Sequence, residues 1–143
     1  MKKEKNEKIV LTTAKKKKAI ARVRLSAGLG IIKINGTSLK VFKPIIAGEI
    51  ISEPLVLAQK ILGNDFASNL DIYINAHGGG VMGQAYAART AIGKALVKWT
   101  QNEDLKKLFL EYDRSLIIDD VRKKEPKKYL RKGARAKWIK SYR

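Results

Sequence analysis

Cysteine is absent from the 143 residues, which excludes disulfides and thiolate metal sites. Histidine occurs once, as His77, in a Gly-rich stretch. One histidine without a partner builds neither a zinc site nor a catalytic triad, and no G-x-S-x-G is present. No apolar run reaches the roughly 18 residues that a membrane-spanning helix needs. The opening segment, Met1 to Lys8, lacks the apolar stretch of a secretory signal. These absences suit a reducing, intracellular compartment. Negative charge is also scarce: 13 Asp and Glu stand against 31 Lys and Arg, a formal net charge of +18.

The positive charge is segregated. Residues 1–24 hold ten Lys/Arg against two acids, and residues 120–143 hold eleven against two. Residues 25–119 are nearly balanced, with ten against nine. Two strongly positive ends repel one another unless a polyanion neutralises them. Nucleic acid is the expected polyanion. An anionic membrane surface is the competing reading, but neither end carries the amphipathic helix or lipidation site that such anchors use.

Hydrophobic residues make up 45% of the chain, enough for one core. Residues 1–18, with the run Lys15-Lys16-Lys17-Lys18, read as a basic arm without a core of its own. Ordered structure is expected from Ala19. Ala21, Val23 and Leu25 alternate with Arg22 and Arg24, which predicts a half-buried strand with a cationic outer face. Ile31–Ile34 predicts a second strand, stopped by the turn pair Asn35-Gly36. Leu39–Phe42 predicts a short third strand. Residues 49–62 follow a helical period, with the main helix expected near Glu53 and Pro54 in its first turn. Leu70–Ala76 alternates as a central strand. Residues 84–99 form the clearest helix, and 104–112 a second one. Leu116–Ile118 reads as a short buried strand or extended segment. From Asp120 onward the chain is basic, poor in aliphatics and punctuated by Tyr129, Trp138 and Tyr142, so it cannot fold alone. The expected organisation is a basic arm (1–18), a two-layer α+β domain (19–119) and an extended basic tail (120–143). Fully extended, that tail reaches roughly 80 Å.

Gly78-Gly79-Gly80-Val81-Met82-Gly83 has the spacing G-x-G-x-x-G between a strand and a helix. Glycines let a backbone approach a phosphate, and a helix amino terminus favours an anion. A dinucleotide fold needs further strand–helix units after the motif, and the chain supplies only a helix and a tail. The preferred reading is an RNA phosphate on these amides, with Gln84 and Arg89 nearby; a tight turn without a ligand is the alternative. Asp119-Asp120 is read as complementing Arg114 and Arg122 rather than holding Mg²⁺. In the tail, Arg and Lys neutralise phosphates while Tyr and Trp stack on bases. No constellation supports catalysis, and no cofactor is expected.

Three segments together carry a family resemblance: Ala19-Ile20-Ala21-Arg22-Val23 after the basic run; Gly78-Gly79-Gly80 with Gly83-Gln84-Ala85 and Ala88-Arg89; and Tyr112-Asp113-Arg114, Asp120-Val121-Arg122, Glu125-Pro126-Lys127-Lys128, Gly133-Ala134-Arg135-Ala136, ending Lys140-Ser141-Tyr142-Arg143. The chain resembles the universal S-nine family of small-subunit ribosomal proteins, and its last four residues look like the archaeal and eukaryotic branch. Ala14 before the basic run, Trp138-Ile139 and Tyr129-Leu130-Arg131-Lys132 depart from the family pattern.

The resemblance implies the fold shared with the second domain of ribosomal protein S-five. It implies a cytoplasmic place in the head of the small ribosomal subunit, against ribosomal RNA and neighbouring head proteins, with no membrane or small-molecule substrate. Lys15, Lys16, Lys17, Lys18, Arg22, Arg24, Gly78, Gly79, Gly80, Gln84 and Arg89 would face ribosomal RNA. In the tail, Arg122, Lys127, Lys128, Arg131 and Arg135 would do the same. Lys140, Ser141, Tyr142 and Arg143 would approach the anticodon stem-loop of the tRNA in the peptidyl site. The rival reading is a general basic nucleic-acid-binding protein outside the ribosome.

Overall fold

The structure, a computed structural model, describes residues 8–139 and 141. It opens with a departure from the sequence reading. Ile9–Lys16, expected within a coreless arm, is strand β1 at one edge of the sheet. Its inward positions are Thr12 and Ala14, both buried. Thr12 donates a hydrogen bond to the Ala91 carbonyl at 2.8 Å. A strand whose buried face is built from Thr and Ala carries little hydropathy signal, and this one hides beneath a lysine run. Residues 1–7 of the expected arm lie outside the described residues.

Strand β2, Ala19–Ala27, follows through the turn at Lys17-Lys18 and pairs antiparallel with β1. The alternation of Ala21, Val23 and Leu25 against Arg22 and Arg24 is realised in full: the first three are buried and the arginines exposed. Strands β3 (Ile32–Ile34) and β4 (Thr37–Ser38) form a small hairpin around Asn35-Gly36, both at positive φ as that turn requires. The expected third strand over Leu39–Phe42 is instead a 3-10 turn, Leu39–Val41. The pairing of β4 ends at Ser38, so nothing holds the following residues in a ladder.

Helix α1 runs Ile45–Leu62, longer than expected. Its buried stripe begins with Ala47 and continues through Ile51, Leu55 and Ala58, so a turn ahead of residue 49 is needed to seat Ala47. Pro54 therefore lies inside the helix rather than in its first turn. Its ring is buried in the same stripe, and that apolar contact offsets the missing backbone donor. Strand β5, Leu70–His77, is central: it pairs antiparallel with β2 and parallel with β3. The sheet order is β1-β2-β5-β3-β4.

Helix α2, Val81–Thr100, packs across β1 and β2, while α1 and α3 (Glu103–Tyr112) pack against α2. Ala85, Ala88, Ala95 and Gly93 let α2 approach its neighbours closely. A Cβ at Gly93 would stand 2.4 Å from the Leu116 carbonyl oxygen, so only glycine fits there. Leu116 is buried but not in a strand: Arg114–Leu116 is a 3-10 turn, started by Asp113, whose carboxylate accepts from the Ser115 amide. All three helices lie in one layer on one face of a mixed five-stranded sheet, the two-layer α+β arrangement. Among the described residues, the other face of the sheet carries no helix.

Candidate nucleic-acid interface

Strand alternation sends every second side chain to the uncovered face. The register aligns these in rows. Leu11, Arg24, Tyr73 and Lys33 stand abreast across four strands, and Thr13, Arg22 and Asn75 form the next row. Arg22, Arg24, Lys33, Tyr73 and Asn75 are all exposed. They line a shallow depression of about 510 Å³. Asp71 stands at the end of β5, where its carboxylate accepts from the amides of Leu29 (2.8 Å) and Ile31 (3.0 Å). Arg22 and Arg24 were expected at this interface; Lys33, Tyr73 and Asn75 were not. The signal was present, because the alternation of residues 70–76 already places Tyr73 and Asn75 on the polar side.

At one end of the sheet the β1–β2 turn folds beside the Gly-rich turn. Lys16, Lys17 and Lys18 line a recess of about 310 Å³ together with Gly79, Gly80 and Gly83. Gly78 has φ +77, and a Cβ there would meet the Lys18 carbonyl oxygen at 2.6 Å, so the close approach of the two turns requires glycine. Helix α2 starts at this corner with no side-chain cap and no acid in its first turn. Its positive end and three lysines therefore share one place. Gln84 donates from Nε2 to the Gly78 carbonyl at 3.2 Å, so its amide braces the turn. Residues 16–18 and 78–80, far apart in the chain, meet at this corner, a juxtaposition that the sequence reading did not make.

Arg89 is elsewhere. It is 5% exposed, in the interior between α1, α2 and the end of α3. Its Nε lies 2.6 Å from Glu53 Oε2, a close ion pair without the direction of a hydrogen bond. Its other nitrogens donate to Asp113 at 2.9 Å and to the Ser115 hydroxyl at 3.0 Å. Partial burial works against the charge on Asp113, but hydrogen bonds from Ser115 and Arg89 outweigh it and hold that carboxyl below its ordinary value. The Glu53 carboxylate pushes Tyr112 up from its ordinary value. The expectation that Arg89 faces RNA is therefore corrected: two carboxylates neutralise it inside the fold. Ala85, Arg89, Ile92 and Leu96 share one helical stripe, so its position on α2 was itself the signal.

The tail leaves the domain at the same corner. Asp120 adds a parallel bridge to β1: its amide donates to the Lys15 carbonyl (3.1 Å), and its carbonyl accepts from the Lys17 amide (2.8 Å). Its carboxylate takes two bonds from Arg122, at 2.9 and 2.8 Å, and pairs with Lys16 at 3.1 Å. Arg122, and then Lys16, hold the Asp120 carboxyl far below the usual range. Asp119 pairs with Lys94 at 2.6 Å. The acidic pair thus complements Arg122, as expected, with Lys16 and Lys94 where Arg114 was expected; among the described residues no ion pair joins Arg114 to either acid. Among the described residues no cluster of His, Asp and Glu is arranged to hold a metal.

Farther out, Arg135 clamps Glu125 through two bonds, at 3.0 and 2.8 Å, closing a loop in the tail. Arg135 lowers the Glu125 carboxyl from its ordinary value. Lys127, Lys128 and Tyr129 are exposed on this loop, and Arg131 is half-buried. Ser141 is exposed; Lys140, Tyr142 and Arg143 lie outside the described residues.

Comparison with known proteins adds a continuous match. The family model described as ribosomal protein S9/S16 covers residues 14–143. Small ribosomal subunit protein uS9 of Thermoplasma volcanium is 47% identical over 134 residues, spanning 94% of this chain and 98% of that protein. The protein of the same name from Thermoplasma acidophilum is 46% identical, spanning 94% and 100%. That from Methanothrix thermoacetophila is 43% identical over 136 residues, spanning 95% and 99%.

Proposed function

The chain belongs to the ribosomal protein S9/S16 family, and from that premise we propose how its surfaces serve the small ribosomal subunit. It is a structural, non-enzymatic constituent of that subunit, and its partners are ribosomal RNA and ribosomal proteins. The observation that carries this is the unbroken match from residue 14 to residue 143, which includes the whole basic tail.

In this reading the near-neutral domain, with the fold of the second domain of ribosomal protein S-five, sits on RNA in the head of the cytoplasmic subunit. Two surfaces of the domain meet RNA. One is the cationic sheet face with Arg22 and Arg24. The other is the corner where Lys15, Lys16, Lys17 and Lys18 flank Gly78, Gly79 and Gly80, with Gln84 bracing the turn. Lysine charge and exposed amides at a helix start both suit a phosphate. From that corner the tail threads through RNA. Arg122, Lys127, Lys128, Arg131 and Arg135 neutralise phosphates along it. Arg122 and Arg135 each use one edge for an internal carboxylate and keep further donors for RNA. The tip, Lys140, Ser141, Tyr142 and Arg143, reaches the anticodon stem-loop of peptidyl-site tRNA and slows its loss without reading sequence.

Sedimentation of tagged chain from a cell lysate tests the reading, using the full chain and one ending at residue 139. Both are expected in stoichiometric amount in the small-subunit peak, with faster tRNA dissociation only from the shortened form. Absence of both from the peak overturns the ribosomal role. Equal tRNA dissociation overturns the role of the tip.

A further inference from the structure

The uncovered face of the sheet holds more than two arginines. Tyr73 stands 41% exposed on the central strand, flanked on opposite sides by Arg24 of β2 and Lys33 of β3 in the same row. Asn75 and Thr13 follow in the next row, on either side of Arg22. Asp71, the acid nearest in sequence, spends its carboxylate on two backbone amides at the strand end. Among the described residues no other acid occupies an outward position of β1, β2, β3 or β5. The result is an aromatic ring between two cations, beside amide and hydroxyl groups, in a depression open to solvent.

We propose that this face binds a single-stranded segment of RNA, one unpaired base stacking on Tyr73 while the phosphates on either side meet Arg24 and Lys33. The proposal rests on the RNA-bound role above and names the element recognised: an unpaired nucleotide rather than a duplex. A duplex keeps its bases stacked inside and offers a ring no face, whereas single strands expose both base and backbone. Asn75 and Thr13 supply the donors and acceptors that a base edge or a 2′-hydroxyl needs. A protein partner on this face would have to bring carboxylates to three cations and an apolar surface to Tyr73 and Leu11, and a single-stranded RNA supplies both complements at once.

Ultraviolet crosslinking of the full chain to an unstructured oligoribonucleotide containing 4-thiouridine, with peptide mapping, reads the contact directly. Fluorescence anisotropy on the same RNA, and on a blunt RNA duplex of equal phosphate count, gives the affinities. Tyr73 is expected in the major crosslinked peptide of the domain. Tyr73→Leu, which keeps apolar bulk on the strand, is expected to weaken single-strand binding about five- to a hundredfold and duplex binding little. Tyr73→Phe is expected to retain the affinity. Equal binding by wild type and Tyr73→Leu, with no crosslink at Tyr73, overturns the stacked base. If Arg22→Ala and Arg24→Ala still weaken RNA binding in that case, the phosphate-binding role of the face survives without it. Should Tyr73→Leu leave RNA binding intact but release a neighbouring protein from assembled small subunits, the face is a protein-docking surface and the proposal fails.

Discussion

Arg89 shows how one residue divides composition from position. As a cation after a Gly-rich turn it reads as a phosphate ligand. As the fourth residue after Ala85, on the stripe that continues to Ile92 and Leu96, it reads as interior. The structure settles the matter because Glu53 and Asp113, from α1 and the end of α3, converge on it. Removing one member of a buried ion pair leaves the others' charge without compensation. Glu53 and Asp113 keep 28% and 39% of their side-chain exposure, so solvent relieves part of that penalty. Arg89→Ala is therefore expected to lower stability by about 3 kcal/mol in urea denaturation, and to leave RNA affinity unchanged while the protein remains folded. A small stability change with a large loss of RNA binding would return Arg89 to the surface. Tyr73 is the converse case. Its outward position was legible from alternation alone, but its cationic flanks belong to β2 and β3, which only strand pairing sets beside it.

At the scale of elements, the junction of β1 and the tail carries the clearest consequence. Asp120 docks on β1 through two backbone bonds and holds Lys16 and Arg122 with its carboxylate. A carboxyl lowered in the folded state contributes stability that is complete above the ordinary carboxylate pKa of about 3.9. That contribution declines only as pH falls from there toward the depressed folded value. The amide resonances of Lys17 and Asp120 are thus expected to stay constant from neutral pH down through the ordinary carboxylate value of about 3.9 and to move only well below it. Asp120→Asn is expected to displace both at neutral pH. A titration midpoint at the ordinary value would show that the latch is not formed. The same junction explains why β1 escaped the sequence reading. Thr12, Ala14 and the lysine run look like a solvated arm, yet the strand is held by β2 on one side and by α2 beneath. The core is assembled by partners distant in the chain.

Over the whole molecule, charge and fold are separated. The positive charge is concentrated on the sheet face, the lysine corner and the tail, outside a core built from Val, Ile, Leu and many alanines. Binding should therefore be driven by counterion release. If about ten phosphates are neutralised, log affinity is expected to fall against log salt with a slope near −7 to −9. A slope near −2 for the full chain would overturn that picture. Deleting residues 121–143 removes eleven Lys and Arg and one Glu. The slope should then become shallower by several units. The denaturation midpoint of the domain should fall only slightly, because Arg122 is lost from Asp120 while residues 123–130 are exposed throughout.

The sequence by itself determined the α+β class, the Asn35-Gly36 turn, the central strand, the long alanine-rich helix, the segregation of charge and the family. Each of these rests on local periodicity, local turn chemistry or composition. Only the tertiary structure decided that β1 is a strand, that Arg89 is interior, that the lysine turn and the glycine turn form one corner, and that Asp120 fixes the root of the tail. Those four facts depend on pairings across the chain, where a hydrogen bond or an opposite charge arrives from a residue that no local pattern can place.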